Sequence, residues 1–143
     1  MVEARGRGKV GGEATGALRG VLGGPAAPGG VGVRRLDSGI PTGWLLPVGD
    51  PGKGRERLQR AMTAGAGVLR DAASLARTAE ELDAVCRPGD APPATVAAAE
   101  LANLSTLAAA SARAAEARTE SRGAHTRTDH PDPSGDLRVR LVQ

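Results

Sequence analysis

The side chains best suited to chemistry lie in one polar string near the C-terminal end, from Arg118 to Pro131. Within it, Ser121 and His125 stand four residues apart, the spacing at which two side chains meet on one helix face. A serine nucleophile with a histidine base would need this proximity. No further residue in the string is placed to orient the imidazole, so hydrogen bonding at a helix end is the favoured interpretation.

The same string is a poor candidate for a metal site. His125 and His130 are five residues apart with Asp129 beside the second, and zinc requires three or four converging ligands. Cys86 is remote in sequence and has no histidine near it, which favours an inert buried thiol over a reactive one. As the only cysteine it cannot form an intrachain disulfide, and we expect a reducing, cytoplasmic environment.

Glycine-rich stretches near the N-terminus do not predict a phosphate-binding loop. Gly6-Arg7-Gly8 and the glycines within 20–24 lack the preceding strand that gives such a turn its meaning. We therefore expect no catalytic, cofactor-binding or metal-binding residues in this chain.

Three helices are predicted to position the polar string. Asp50 and Pro51 are a favoured N-cap and first helical residue, and apolar residues then recur at helical spacing. A second helix is expected from about Asp71 to Val85, and a long third helix over 94–122, with Gly123 ending it. Gly65 and Gly67 predict either a poor helix in isolation or one packed closely against another backbone.

The resulting prediction is an all-α fold, a three-helix bundle with a long third helix. Residues 1–49 are expected to form a Gly/Arg-rich disordered leader, 50–125 the three-helix domain and 126–143 an irregular tail. Within the leader, the apolar patch Trp44-Leu45-Leu46 could dock on another surface. In the tail, 137–142 alternate like a short strand, too short to be stable alone.

Composition limits the partners that the chain could bind. The 143 residues carry a net charge of +3 and contain no Phe or Tyr, and much of the apolar fraction is Ala, which predicts a small core. Acidic residues are interleaved with the arginines, and aromatic side chains to stack on bases are lacking, so nucleic-acid binding is not expected. No apolar run is long enough for a membrane span, and the basic N-terminus lacks the apolar region of a secretory signal.

Three motifs in order resemble a known domain. The string 118–131, RTESRGAHTRTDHP, resembles the E-S-R-G-x-H-x-R-x-D-x-P signature of the succinate dehydrogenase, fumarate reductase and L-aspartate oxidase flavoproteins. Residues 58–71 resemble the L-Q-x-x-M…G-V-x-R-D pattern of the first helix of that family's C-terminal helical domain. Residues 100–104 resemble the E-L-x-N-L start of its long helix.

The resemblance implies a part of an FAD-dependent oxidoreductase. The run 99–108 and the nearness of the chain end to Pro131 are similar to the L-aspartate oxidase branch, whose members oxidise L-aspartate to iminoaspartate on the way to quinolinate and NAD. The family's flavin-binding and capping domains, which hold FAD and the catalytic residues, have no counterpart here. We therefore expect a C-terminal fragment that is inactive alone, whether from a truncated gene, a split gene or a misplaced start codon.

The resemblance also implies a role for the polar string. Its members are charged, lie at a helix end and suit inter-domain contacts with a flavin-binding domain, in the same chain or in another. The residues expected to have this structural role are Glu120, Ser121, Arg122, Gly123, His125, Arg127 and Asp129. Two alternatives are a stand-alone, non-catalytic interaction module and a fragment of a succinate dehydrogenase or fumarate reductase flavoprotein subunit.

Overall fold

A computed structural model describes residues 32–36 and 43–142 of the chain. Within these ranges the chain forms three helices, α1 (Pro51–Gly65), α2 (Ala72–Asp83) and α3 (Val96–Ala117). It also forms six short strands. They are β1 (Gly32–Arg35), β2 (Trp44–Pro47), β3 (Leu69–Arg70), β4 (Cys86–Gly89), β5 (Thr126–Arg127) and β6 (Val139–Val142).

Each helix begins at a side-chain cap that can be read from the sequence. The Asp50 carboxylate accepts a hydrogen bond from the backbone N–H of Lys53, with Pro51 in the first turn of α1. Asp71 caps α2 and forms a reciprocal capping box with Ser74. Thr95 caps α3 through the backbone N–H of Ala98. The predicted starts of the first two helices are confirmed. They were predictable because each capping signal lies within a few residues of the helix start.

The three helices pack against one another around a small aliphatic core. Leu101 on α3 is completely buried, and it lies in one cluster with Leu58 of α1 and Leu82 of α2. The remaining buried members of the cluster are Val85, Cys86, Ala108 and Ala112. Because two of the positions that α3 contributes are alanines, the helices approach closely and little apolar area is buried per residue.

Close approach of α1 to α2 depends on Gly65. A Cβ atom added there would lie 2.0 Å from Thr78 Oγ1 and 2.6 Å from the carbonyl oxygen of Ser74. The Ser74 hydroxyl donates a hydrogen bond to the Gly65 carbonyl across the contact, at 3.0 Å. The interpretation of Gly65 as a close-packing residue is confirmed.

Three two-stranded sheets connect distant parts of the chain. β1 pairs in parallel with β6, β2 pairs antiparallel with β4, and β3 pairs in parallel with β5. The β2 strand also lies against α3, so Leu45 joins the edge of the core. The apolar patch at Trp44 thus docks on its own chain, although the Trp44 side chain itself is half exposed.

The expectation of an all-α three-helix bundle is therefore wrong. Strands occur in the stretch expected to be a disordered leader, at Gly32–Arg35 and Trp44–Pro47, and in the stretch expected to be an irregular tail, at Thr126–Arg127 and Val139–Val142. Apart from the strand-like alternation noted at 137–142, strands of two to four residues have almost no periodic signal, and each depends on a partner far away in sequence. Residues 1–31 and 37–42 of the expected leader lie outside the described residues.

The third helix is also shorter than predicted. It ends at Ala117, and Arg118 is already extended, with φ −92° and ψ 92°. Gly123 has a φ of +60° and lies in a turn closed by hydrogen bonds between the backbones of Arg122 and His125, so it is not the residue that ends the helix. Residues 118–122 leave the helix because their side chains are held by the segment that follows.

Candidate functional site

The polar string folds back over the end of α3 and forms a corner with the start of α2. Parallel pairing of β5 with β3 places residues 126–127 beside 69–70, and the backbone N–H of Thr128 donates to the Arg70 carbonyl at 2.8 Å. Two of the motifs singled out in the sequence, 58–71 and 118–131, are thereby brought into contact. We call the side chains of Glu120, Arg122, His125, Arg127 and Asp129 the ionic corner.

Glu120 is the buried carboxylate of the ionic corner. Its side chain is completely inaccessible to solvent. Arg122 binds it through Nε and Nη2, with the shortest contact at 2.9 Å, and Arg118 and the backbone N–H of Ser134 donate two further hydrogen bonds. These donors, Arg122 foremost, outweigh desolvation and lower the pKa of the Glu120 carboxyl to about 2.

Arg127 and Asp129 form a second, bidentate ion pair. Arg127 Nε and Nη2 each lie 2.7 Å from an Asp129 oxygen. The remaining Arg127 nitrogen, Nη1, donates to the carbonyls of Ala115 and Glu116 in the last turn of α3. The Arg127 side chain is only 2 % exposed, so this capping takes place out of water.

Asp129 caps the next helix in turn. Its second oxygen accepts a hydrogen bond from the backbone N–H of Ala72, the first residue of α2, at 2.9 Å. The hydrogen bonds from Arg127 are the main cause that lowers the pKa of the Asp129 carboxyl. One ion pair therefore supplies a cation to the C-terminal end of α3 and an anion to the N-terminal end of α2, which both helix dipoles favour.

His125 is held as a neutral imidazole. Its Nε2 lies 3.0 Å from the carbonyl oxygen of Arg118, which can only accept, and its Nδ1 lies 2.8 Å from the Arg70 guanidinium, which can only donate. This pair of partners requires the tautomer with the proton on Nε2. Burial is the largest cause lowering the pKa of His125, and the neighbouring arginines lower it further.

Ser121 does not form a catalytic pair with His125. Its hydroxyl accepts from the backbone N–H of Arg127 and lies 2.8 Å from the carbonyl of His130, so it bridges two turns of the corner. The i,i+4 relationship disappears because α3 ends before Ser121. Hydrogen bonding, favoured from the sequence, is the observed role.

The thiol of Cys86 lies in an environment typical of a structural cysteine. Cys86 is buried, and its Sγ lies 3.3 Å from the Ser105 hydroxyl. Burial raises the pKa of the Cys86 thiol, which disfavours the nucleophilic thiolate. Within residues 32–36 and 43–142, no group of three or more His, Cys, Asp or Glu side chains is arranged to hold a metal ion.

The described residues do not fit a flavin. A dinucleotide is bound by a glycine-rich turn that presents free N–H groups at a helix N-terminus. Here each of the three helix N-termini is closed by its own side chain, and two of those caps, Asp50 and Asp71, are carboxylates that would repel a phosphate. Gly6-Arg7-Gly8 and the glycines within 20–24 lie outside the described residues.

Two arginines of this site are not among the seven residues expected from the sequence. Arg70 and Arg118 hold His125 and Glu120, and they come from opposite sides of the corner. Both stand inside the motifs that carry the family resemblance, so the signal was present. The role of Arg70 depends on the pairing of β3 with β5, and that of Arg118 on the return of the chain at Leu137 and Val139. The sequence reveals neither.

The fold and the ionic corner define a small mixed α/β module whose charged side chains fix the ends of its own helices. Comparison with known proteins gives the family. The chain matches the family described as fumarate reductase flavoprotein C-term over residues 55–140, and it belongs to that family.

A relative with a named activity is also found. Over 90 residues the chain is 41 % identical to an L-aspartate oxidase of Streptomyces coelicolor. The match takes in 57 % of this chain and covers 16 % of that relative's length. No solved structure matches the chain, and no helix in the described part is long and apolar enough to cross a bilayer.

Proposed function

We propose that this chain serves as the C-terminal domain of an FAD-dependent L-aspartate oxidase, in which a flavin-binding domain carries out the oxidation of L-aspartate to iminoaspartate. The observation that carries the proposal is the 41 % identity to the Streptomyces coelicolor L-aspartate oxidase over 90 residues. The match of residues 55–140 to the flavoprotein C-terminal family supports it. The single cysteine, buried and free, is compatible with a cytoplasmic location.

The contribution of this chain to such an enzyme is structural. The described residues offer no flavin site, and every polar side chain of the ionic corner is bonded to the chain's own groups. These residues would give the module a rigid end against which a flavin-binding domain, in the same chain or another, can pack. The oxidation itself would take place on the flavin-binding and capping domains.

Reconstitution tests this role directly. The Streptomyces coelicolor L-aspartate oxidase would be prepared without its own C-terminal domain and supplied with the present chain, either fused or as a separate protein. We expect aspartate-dependent hydrogen peroxide production and retained flavin absorbance to rise toward the level of the intact enzyme. The present chain alone should be colourless and inactive.

Two variants separate a specific effect from simple crowding. Asp129→Asn removes a carboxylate of the ionic corner, and Asp132→Asn makes the same change at an exposed neighbour with no ion pair among the described residues. Activity restored by the wild type and by Asp132→Asn, but reduced with Asp129→Asn, supports the proposal. No restoration by the wild type, when the oxidase's own C-terminal domain restores activity, contradicts it.

A further inference from the structure

A groove with basic lining opens beside the ionic corner, at the C-terminal ends of α1 and α3 and next to β6. Its volume is about 410 Å³. The charged or titratable side chains that line it are Arg70, Arg118, Arg140 and His125, and none of the lining residues is an Asp or Glu. Its apolar lining includes Met62, Ala66 and Leu141, which can contact the aliphatic part of a bound segment.

A second groove continues this surface around the C-terminal segment. It has a volume of about 340 Å³, shares Arg118 and His125 with the first, and adds Arg122 and Arg138. Its lining also contains no Asp or Glu. We call the surface formed by the two grooves the basic face.

The positive charge of the basic face is mostly uncompensated. Glu120 balances only one of its two arginine partners, Arg118 and Arg122. In the part of the chain that the structure describes, no carboxylate lies within ion-pair distance of Arg70, Arg138 or Arg140. The arginines that do have a carboxylate partner include Arg118, Arg122 and Arg127, which bind Glu120 or Asp129, and Arg55, Arg57 and Arg60 of α1.

The helical side of the molecule is arranged differently. There Arg55 is paired with Glu100, and Arg57 with Glu81 at 2.6 Å. Charge is therefore neutralised between the helices and left over at the basic face. Concentrated like charge is unfavourable in the free protein, and binding of an opposite charge relieves that repulsion.

We propose that the basic face is a docking surface for an acidic segment of a partner protein. A protein segment fits better than a nucleic acid because the lining offers aliphatic contacts and no aromatic side chain for stacking on bases. The segment is expected to be acidic because the basic face carries an excess of positive charge. The identity of the partner rests on the proposed function, which makes the segment part of a flavin-binding domain.

Binding of a labelled acidic peptide tests the chemistry. The probe is a fluorescein-labelled synthetic peptide of alternating Glu and Leu, titrated with the full chain and followed by fluorescence anisotropy. The test variant is Arg138→Glu with Arg140→Glu, two exposed side chains of the basic face. The control variant is Arg77→Glu with Arg87→Glu, which changes the net charge equally at exposed positions outside both grooves.

We expect saturable binding to the wild type that weakens with salt, because exposed charges are screened. The Arg138/Arg140 variant should bind about tenfold or more weakly, and the Arg77/Arg87 variant nearly as well as wild type. Circular dichroism of both variants checks that each remains folded. No binding to the wild type, or equal weakening in both variants, would overturn the proposal.

Two further measurements identify the partner class. Tighter binding of a labelled single-stranded oligonucleotide than of the peptide, lost in the Arg138/Arg140 variant, would overturn the proposal in favour of a nucleic acid. In the reconstitution assay, activity restored equally by wild type and by the Arg138/Arg140 variant would leave the proposed function standing and remove the basic face from it. Peptide binding without any restoration of activity by the wild type would support the basic face as a docking surface and contradict the proposed function.

Discussion

Asp129 receives two hydrogen bonds of 2.7 Å from Arg127, while each of the two residues caps the end of a different helix. Arg127 covers the last carbonyls of α3, and Asp129 covers the first N–H of α2. One ion pair thus satisfies two carbonyls of α3 and one backbone N–H of α2. This arrangement explains how a chain with a small Ala-rich core fixes the angle between two of its helices.

Replacing Arg127 with Met should destabilise the fold markedly. The substitution leaves two helix carbonyls and the Asp129 carboxylate without their donor, which costs about 2–4 kcal/mol in the free energy of unfolding. Urea denaturation followed by circular dichroism measures this change. Arg77→Met, at an exposed position on α2, is the control and should stay within about 0.5 kcal/mol of the wild type. Equal stability of the two variants would contradict the role given to Arg127.

Acid should destabilise the protein through Glu120. The pKa of this carboxyl is about 2 in the fold and ordinarily 4.5, so between these values the unfolded chain binds a proton that the native protein does not. The stability that the Glu120 carboxylate contributes is fully present above pH 4.5 and is lost as the pH falls toward 2. The lowered pKa of Asp129 acts in the same direction.

Chemical denaturation at a series of pH values measures this loss for wild type and Glu120→Gln. The variant should be less stable at neutral pH, and its deficit should shrink as the pH falls below 4.5. Glu80→Gln, an exposed control on α2, should follow the wild-type curve. Parallel curves for wild type and Glu120→Gln would show that the carboxylate is not held as described.

His125 should contribute a second, earlier acid-dependent step. Its pKa is lowered in the fold from 6.5, so below that pH the unfolded chain takes up a proton that the native imidazole resists. Stability from this residue is present above pH 6.5 and declines as the pH falls. Gln can donate to the Arg118 carbonyl and accept from Arg70, so His125→Gln should remove this decline.

The measurement is the same denaturation series, taken between pH 7.5 and 5 with closely spaced points. His130→Gln makes the same chemical change at a side chain that is 42 % exposed, and it should keep the wild-type decline. NMR titration of the imidazole resonances gives an independent check. A His125 resonance that titrates at or above its ordinary pKa would contradict the neutral assignment.

Gly65→Ala should weaken the contact between α1 and α2. The new methyl would meet Thr78 Oγ1 and the Ser74 carbonyl at distances far below van der Waals contact. Overpacking of this kind costs about 1–3 kcal/mol, more than the helix propensity that Ala restores. Gly135→Ala, where nothing lies within 4 Å of the added atom, is the control. A Gly65→Ala variant as stable as the wild type would show that the helices can separate without cost.

Helix starts and the close contact at Gly65 were predictable from the sequence. Caps such as Asp50 and Asp71 act within three or four residues, so the information lies in adjacent positions. The family resemblance was equally readable, because its motifs are strings of residue types, and membership over 55–140 is confirmed. The motif over 118–131 also contains the residues of the ionic corner, although it does not show which groups they contact.

Tertiary structure alone decided where α3 ends, which strands pair and what Glu120 contacts. No helix-breaking residue stands between Ala117 and Gly123, yet the chain leaves the helix at Arg118, whose side chain donates to the carbonyls of Leu137 and Val139. Pairing of β1 with β6 joins Gly32 to Val139, a separation that no local pattern reports. Short-range signals set the helix starts, whereas ion pairs and strand partners distant in sequence form only when the chain is folded, so the sequence pattern could not show them.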